Sequence, residues 1–475
     1  MMSNASIPYH PLIVRDFIWR WNKMSESLKK GLKQRHLIMM SIGGVIGAGF
    51  FLGAGAAIGI AGPAVIFSYL IGGLITFMVM ALLTEMAVSM PVAGSFQTYA
   101  SKGISPYAGF ITGWTYWLAF LIGPASESIA AGTFLHIWFP TIPIWVFCLA
   151  VAIIMTIINV IGVTYFGEIE FWLSLIKVAA LLIFIIWGAS TLFGVSMNTD
   201  VTWANLTQYD GFAPAGLIGV LGAMVMVIFS YGGIEAIGTA AEESEHPEVD
   251  LPKALRNTIV RIVVLYFLSM LILLAVLPWT KAGISSSPYV DAFTILGGPV
   301  VGNVMNFVVL TAALSCIDTG VYATSRMLFS LSRDGYFPAF FSKVDEKRKT
   351  PIRAIITSSC VLFLGALLFF LYPDFAYVWL ASLSGFGFLF AWLMIACSYG
   401  SMHHYFAENN LLKWHTPGGR TLQIVTIILI LGIFISQFFI EGGWMLLAAG
   451  CTWLIFASLY YYFFARKNQR YNINK

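Results

Sequence analysis

Residues 41–53 read SIGGVIGAGFFLG, and this glycine-rich stretch lies within the first long apolar segment of the chain. A second stretch of the same character, FSYGGIEAIG at residues 229–238, lies in the sixth such segment. Glycine in a helix interior costs about 1 kcal/mol relative to alanine, so two dense clusters need a reason. Close packing between membrane helices is one explanation. The other is two helices broken at mid-membrane, because a break frees N–H groups for a carboxylate and carbonyl groups for an ammonium group.

The composition of the chain excludes most classes of soluble protein. Of its 475 residues, 59% are hydrophobic and 10% are charged, whereas a soluble domain has about 25% charged residues. The five cysteines lie singly, without a CxxC pair, so neither a metal site nor a disulfide framework is expected. No HExxH, GxSxG or GxxxxGK[ST] motif occurs. We therefore expect a membrane protein that is not an enzyme, needs no cofactor and binds no nucleic acid.

Hydropathy and turn residues predict about twelve membrane-spanning segments. A chain in lipid satisfies its backbone hydrogen bonds internally, so each segment is expected to be a helix and the fold all-α. Glycine clusters in the first and sixth spans suggest a five-plus-five inverted repeat with broken helices 1 and 6 and a site near the bilayer midplane. The predicted parts are a cytoplasmic segment at 1–36, a core of ten spans at 37–400, two additional spans at 401–465 and a cytoplasmic tail at 466–475. The predicted spans are 37–59, 63–90, 106–135, 143–163, 171–193, 215–240, 257–279, 301–330, 354–372, 376–400, 421–440 and 443–465.

Positive charge is concentrated on one side of this predicted topology. Basic residues precede the first span, follow the last span and fill the loop between the eighth and ninth spans, whereas the opposite side carries Lys281. By the positive-inside rule, both termini are expected to be cytoplasmic in a multi-pass protein of the cell membrane. The N-terminal segment lacks a cleavable signal pattern, so the first span is expected to be retained. Its basic residues are expected to lie against anionic membrane lipid.

A series of longer motifs follows one order along most of the chain. They are IGGVIGAGFFLG at 42–53, EMAV at 85–88, PVAGSF at 91–96, GWTYW at 113–117, GEIEFW at 167–172, FSYGGIEAIG at 229–238, EE at 242–243, HP at 246–247, PKA at 252–254, SRML at 325–328 and DG at 334–335. By these motifs the sequence resembles the amino acid transporter family of the amino acid–polyamine–organocation (APC) superfamily, which includes bacterial amino acid permeases and shares the leucine-transporter fold. The resemblance implies secondary active transport of an amino acid.

The resemblance also implies a substrate site at the two glycine clusters. In similar proteins the substrate carboxylate binds the unwound part of span 1, which here is Gly47, Ala48 and Gly49. The substrate amino group meets backbone carbonyls, which here belong to Val45, Phe229 and Gly232. Phe229 also takes the place of an aromatic gate above the substrate. The reasoning from helix breaks agrees, because it places freed amides near a carboxylate and freed carbonyls near an ammonium group.

Buried ionisable residues are the second signal, because a charge at the bilayer centre costs at least about 2.5–3.5 kcal/mol on insertion scales. Lys177 lies inside span 5, where it either snorkels to the interface or acts in proton coupling. In related proton-coupled transporters a lysine here stands where sodium-coupled relatives bind an ion. Glu235 follows the span 6 glycines, where relatives carry a glutamate linked to proton response. Glu127 in span 3 either lines the pocket and selects a side chain or pairs with a serine or backbone group.

Asp318 in span 8 departs from the asparagine of many relatives and is the nearest plausible counter-charge for Lys177 in the sequence. We therefore assign Lys177, Glu235 and Asp318 to proton coupling and expect proton-driven import by alternating access. An exchanger or a sodium-coupled symporter is the alternative, although a cationic Lys177 repels sodium. A membrane nutrient sensor with a transporter fold is a hypothesis from another functional class. Such a sensor is expected to carry a long cytoplasmic signalling domain, whereas the predicted termini are short. The expected partners are an amino acid, protons and membrane lipid, and the side chain of the substrate stays open.

Overall fold

The computed structural model describes residues 45–92, 94–161, 166–194, 201–235, 247–283, 286–333, 337–345 and 350–465. Within these ranges the secondary structure is helical and contains no strand, which confirms the predicted all-α class. The helices are α1 Ala48–Phe51, α2 Gly53–Ala61, α3 Val65–Ser89, α4 Ser95–Gly103, α5 Pro106–Trp138, α6 Ile144–Ile161, α7 Phe166–Leu192, α8 Gly216–Gly222, α9 Met224–Tyr231, α10 Pro247–Val276, α11 Pro288–Gly297, α12 Pro299–Arg333, α13 Ile352–Leu371, α14 Ala376–Glu408, α15 Gly419–Ser436 and α16 Gly443–Tyr460.

Ten helical stretches in the described part of the chain are long and apolar enough to cross a membrane. Each predicted span from the third to the fifth, and from the seventh to the twelfth, corresponds to one long helix. The first two spans run together from Ala48 to Ser89, and the described part of the sixth span is the shorter apolar stretch Gly216–Tyr231. The count of twelve, the inverted repeat, the domain limits and the orientation of the termini therefore stay predictions.

Helix α5 forms the centre of the structure. It begins at Pro106, directly after Ser105, whose hydroxyl accepts a hydrogen bond from the Ala108 N–H at 3.1 Å. This is a favourable helix start, because the capping oxygen satisfies a free N–H and proline has none to satisfy. Helix α5 packs against α4, α6, α12, α13 and α14. A side chain on α5 therefore has a well-defined position.

The outer helices present apolar side chains outward. On α6, Ile153, Ile154, Ile157 and Ile158 are all exposed, and their spacing of one, three and four residues places them on one face of the helix. Such a face suits contact with hydrocarbon rather than water. Helix α16 is the least buried of the ten candidate spans. These surfaces are those of a multi-pass membrane protein.

Candidate functional site

The described part of the first glycine-rich segment begins with non-helical residues. Residues 45–47 are not helical, and α1 begins at Ala48; residues 37–44 lie outside the described ranges. The Ala48 N–H donates to Oε2 of Glu127 at 2.9 Å, and the Gly49 N–H donates to Oε1 at 3.2 Å. Glu127 lies on α5 and is 5% exposed. One buried carboxylate thus holds two consecutive backbone amides.

A helix also ends in the second glycine-rich segment. We call residues 45–49 the span 1 break and residues 229–235 the span 6 break. Helix α9 ends at Tyr231, and Gly232 is extended with φ −60° and ψ 146°. Gly233 has a φ of 97°, a left-handed conformation that glycine adopts without the steric penalty of a side chain. The fully buried Glu235 accepts hydrogen bonds from the Gly233 N–H and from Nε1 of Trp392, both at 3.1 Å. Residues 236–246 lie outside the described ranges.

Hydroxyl groups tie the two segments together. The Ser230 hydroxyl donates to the Gly49 carbonyl at 2.8 Å. The Tyr266 hydroxyl lies 3.2 Å from the carbonyl oxygen of Val45 and 3.0 Å from that of Ser230. The Tyr377 hydroxyl donates to the Ala48 carbonyl at 3.0 Å. The two glycine-rich segments are therefore in direct contact, although Ser230 and Gly49 are separated by 181 residues in sequence.

Phe229 lies against the first break. A methyl group built on Gly49 would come within 2.9 Å of two Phe229 ring carbons, so the ring occupies the space next to this glycine. The same ring lies near Gly123, one helical turn before Glu127 on α5. Gly232 leaves room for Phe388, because a methyl group there would meet its ring. The structure thus brings Gly49, Phe229 and Glu127 into one region, as a substrate site at the breaks requires.

Lys177 belongs to a buried polar cluster between α7 and α12. Its side chain is fully buried, so the snorkelling alternative is wrong. Nζ donates to the Ser315 hydroxyl at 2.9 Å and lies 3.9 Å from Oε1 of Glu170. The Ser315 hydroxyl lies 2.7 Å and 2.6 Å from the two carboxylate oxygens of Glu170. We name Lys177, Ser315 and Glu170 the lysine cluster.

The lysine cluster corrects the expectation that Asp318 is the nearest counter-charge of Lys177. A carboxylate within ion-pair distance of Nζ is that of Glu170, at 3.9 Å. Asp318 instead accepts a hydrogen bond from Nδ2 of Asn159 on α6 at 2.6 Å. Its short side chain is thereby directed toward another helix. Glu170 precedes Lys177 by seven residues, which is two helical turns, so one face of α7 carries both. This spacing could have identified Glu170 from the sequence, whereas no sequence pattern pointed to Ser315.

Within the described ranges, no three His, Cys, Asp or Glu side chains group as a metal ion would require. The polar groups of the site are backbone amides, carbonyls, hydroxyls and carboxylates. Such groups suit a small zwitterion, whose carboxylate needs donors and whose ammonium group needs acceptors. Glu127, the tyrosine hydroxyls and the two breaks supply them within one buried region.

Comparison with known proteins identifies the family of this chain. A family model described as amino acid permease matches residues 36–472. The gamma-aminobutyric acid permease of Bacillus subtilis (strain 168) is 39% identical over 427 residues, which cover 89% of this chain and 90% of that protein. The amino-acid permease RocC of the same organism is 38% identical, covering 93% and 95%. The aromatic amino acid transport protein AroP of Salmonella typhimurium (strain SL1344) is 41% identical, covering 79% and 82%. The chain therefore belongs to the amino acid permease family and is a multi-pass membrane transporter of amino acids rather than an enzyme.

Proposed function

We propose that this permease imports an amino acid across the cell membrane by proton-coupled alternating access. The observation that carries the proposal is the pair of hydrogen bonds from the Ala48 and Gly49 amides to a carboxylate. These amides have the geometry to hold a carboxylate group, and they belong to the segment that the family resemblance assigns to the substrate carboxylate. Charge-assisted hydrogen bonds of this kind are about twice as strong as neutral ones.

The carbonyls of Val45, Phe229 and Gly232 are the proposed acceptors for the substrate ammonium group. Val45 and Ser230 already share the Tyr266 hydroxyl, which keeps the carbonyl sides of the two breaks close together. Each carbonyl oxygen has two lone pairs, so a hydroxyl donor and an ammonium group can share it. Gly47 is proposed to complete the carboxylate side. The ring of Phe229, next to Gly49, is the proposed gate.

The lysine cluster is the proposed site of proton coupling, with Glu235 and Asp318 as further titrating groups. Ser315 contacts Lys177, and the next residue, Cys316, faces the first break, since a methyl group on Gly47 would come within 2.6 Å of its Sγ. A change of charge at Lys177 therefore has a short path to the break along α12. An ion pair opened by proton loss leaves a buried carboxylate without its cation, which is strongly unfavourable. This supports a rearrangement of α1 against α12 when the proton leaves.

Uptake into proteoliposomes tests this function. The purified protein is reconstituted, and uptake of the twenty common L-amino acids and γ-aminobutyrate is measured with an imposed pH gradient and no sodium. Accumulation that follows the pH gradient is the expected result. Accumulation that requires sodium, or exchange without net accumulation, would contradict proton-coupled import. Competition among the same compounds identifies the side chain, since the relatives include one named for γ-aminobutyric acid and one named for aromatic amino acids.

A further inference from the structure

The amides that the proposed function assigns to the substrate carboxylate are already occupied. Both oxygens of Glu127 accept hydrogen bonds from Ala48 and Gly49 at 2.9 Å and 3.2 Å. A methyl group on Gly47 would come within 2.8 Å of Oε1, so the carboxylate also fills the space above that glycine. A substrate carboxylate at Gly47, Ala48 and Gly49 would have to stand where the Glu127 carboxylate now stands.

Glu127 reaches these amides from a distant part of the chain. It is 79 residues from Ala48 in sequence and lies on a different helix. Because the glutamate side chain has three rotatable torsions, its carboxylate can leave the amides without unwinding α1 or α5. Gly123, one turn earlier on the same face of α5, has no side chain, and the nearest atoms to a methyl group built there are those of Ser384 at 3.3 Å and Phe229 at 3.7 Å.

The titratable groups that act on Glu127 come from three other helices, of which α12 and α14 pack directly against α5. They are Lys177 of α7, Cys316 of α12 and Tyr377 of α14. The Lys177 ammonium group is in hydrogen-bond contact with Ser315 and within ion-pair distance of Glu170, and the Tyr377 hydroxyl donates to the Ala48 carbonyl. The lysine charge is thus shared with Glu170. Two ionised carboxylates in this buried place would repel each other, and one proton removes the repulsion.

We propose that Glu127 is a built-in competitor of the substrate, which an amino acid displaces from Ala48 and Gly49 while Glu127 takes up one proton from water. The inference rests on the proposed function and deepens it, because it links binding to protonation at the substrate site itself. The proton neutralises the displaced carboxylate, and the substrate carboxylate replaces its two hydrogen bonds. Occupation of the amides in the absence of substrate also keeps buried N–H groups satisfied.

Isothermal titration calorimetry of the purified full chain tests the proposal. The probes are the twenty common L-amino acids and γ-aminobutyrate, each titrated in two buffers with different ionisation enthalpies. The difference in the observed binding enthalpy between the two buffers gives the number of protons taken up. We expect about one proton per bound amino acid for the parent, and an affinity that falls about tenfold per pH unit where Glu127 is ionised.

The variant Glu127→Gln removes the charge while keeping the shape of the side chain. It is expected to bind the same amino acid without proton uptake and with an affinity that is nearly independent of pH. Where Glu127 of the parent is ionised, the ratio of variant to parent affinity should therefore grow about tenfold per pH unit, because a neutral amide is a weaker competitor. Glu127→Met is the second variant if Glu127→Gln fails to fold. Glu85→Gln is the matched control, since Glu85 is a buried carboxylate bonded to Tyr399, His403 and Thr416. It should keep the proton uptake of the parent.

Three outcomes would overturn the proposal. A parent that binds an amino acid without proton uptake has no such competitor. A folded Glu127→Gln or Glu127→Met protein with the proton uptake of the parent assigns that proton elsewhere; loss of the uptake in Lys177→Met but not in Glu127→Gln would assign it to the lysine cluster. If the parent binds none of the probes, both the proposed function and this inference are contradicted. Binding without proton uptake contradicts this inference alone.

Discussion

The two helix breaks both place a buried carboxylate on free backbone amides, but they do so in opposite ways. At the span 6 break, Glu235 bonds the Gly233 N–H two residues earlier, within its own segment, and Trp392 holds its other oxygen. At the span 1 break, the carboxylate comes from Glu127, 79 residues from Ala48. The hydrogen bond between Gly233 and Glu235 is local and stabilises a turn independently of helix packing. A bond between distant helices can be exchanged for one to a ligand, and this difference supports the proposal that the substrate carboxylate binds at the span 1 break.

The largest expected effect comes from filling the span 1 break. Even a methyl group built on Gly49 would come within 2.9 Å of the Phe229 ring, so the larger side chain of Gly49→Leu does not fit. Uptake in proteoliposomes should be lost while the protein still inserts into the membrane. Gly59→Leu is the matched control, because Gly59 is exposed on α2 with no atom within 4 Å of an added methyl group. Uptake by Gly59→Leu should stay within about twofold of the parent, since leucine favours a helix more than glycine does. Uptake by Gly49→Leu at the parental rate would remove the substrate from this break.

The second effect concerns the lysine cluster, which reaches the span 1 break through Cys316. Lys177→Ala leaves Glu170 buried without its cation, so accumulation against a gradient should be lost and unfolding should become easier by about 3–5 kcal/mol. The double variant Lys177→Met, Glu170→Leu removes both charges and should recover most of the stability, without recovering accumulation. Thermal denaturation and pH-driven uptake measure the two properties separately. If Lys177→Ala concentrates substrate as well as the parent does, Lys177 has a structural role.

The third effect tests the gate. Phe229→Ala removes a ring that is 9% exposed and lies next to Gly49, so uptake should fall by about tenfold, which corresponds to about 1.4 kcal/mol of apolar contact. Phe212→Ala is the control, because Phe212 packs against Phe67 with ring centroids 5.7 Å apart, away from the breaks. Its uptake should change little. Equal and mild losses at both positions would place the gate elsewhere.

The smallest effect is expected at the span 6 carboxylate, and it tests the comparison directly. Glu235→Gln keeps an oxygen that accepts a hydrogen bond, so the turn at Gly233 should persist and amino acid affinity should change less than about threefold. Binding-linked proton uptake should also survive, in contrast to its loss in Glu127→Gln. Calorimetry of the two variants side by side gives the comparison. Loss of the linked proton in Glu235→Gln would show that the two breaks are equivalent in this respect.

The sequence by itself determined the class of the protein, the approximate limits of most spans and the two glycine-rich segments in which α1 begins and α9 ends. The third span was predicted at 106–135 and is observed as Pro106–Trp138, and the ninth was predicted at 354–372 and is observed as Ile352–Leu371. These features are local, because apolar length and internal hydrogen bonding decide where a chain crosses lipid. The positive φ of Gly233 is an equally local consequence of glycine.

Only the tertiary structure decided which groups meet. The partner of Glu127 was left open between a pocket and a backbone group, and packing of α5 against α1 places it on the Ala48 and Gly49 amides. Packing of α7 against α12 gives Lys177 a serine that is 138 residues away, whereas its ion-pair partner Glu170 lies on α7 itself. Hydropathy carries no information on such pairs, because it records how apolar a helix is and not which of its faces meets which neighbour. The neighbours of the side chains proposed to bind and couple are therefore set by helix packing, and the spans that carry these side chains are set by composition.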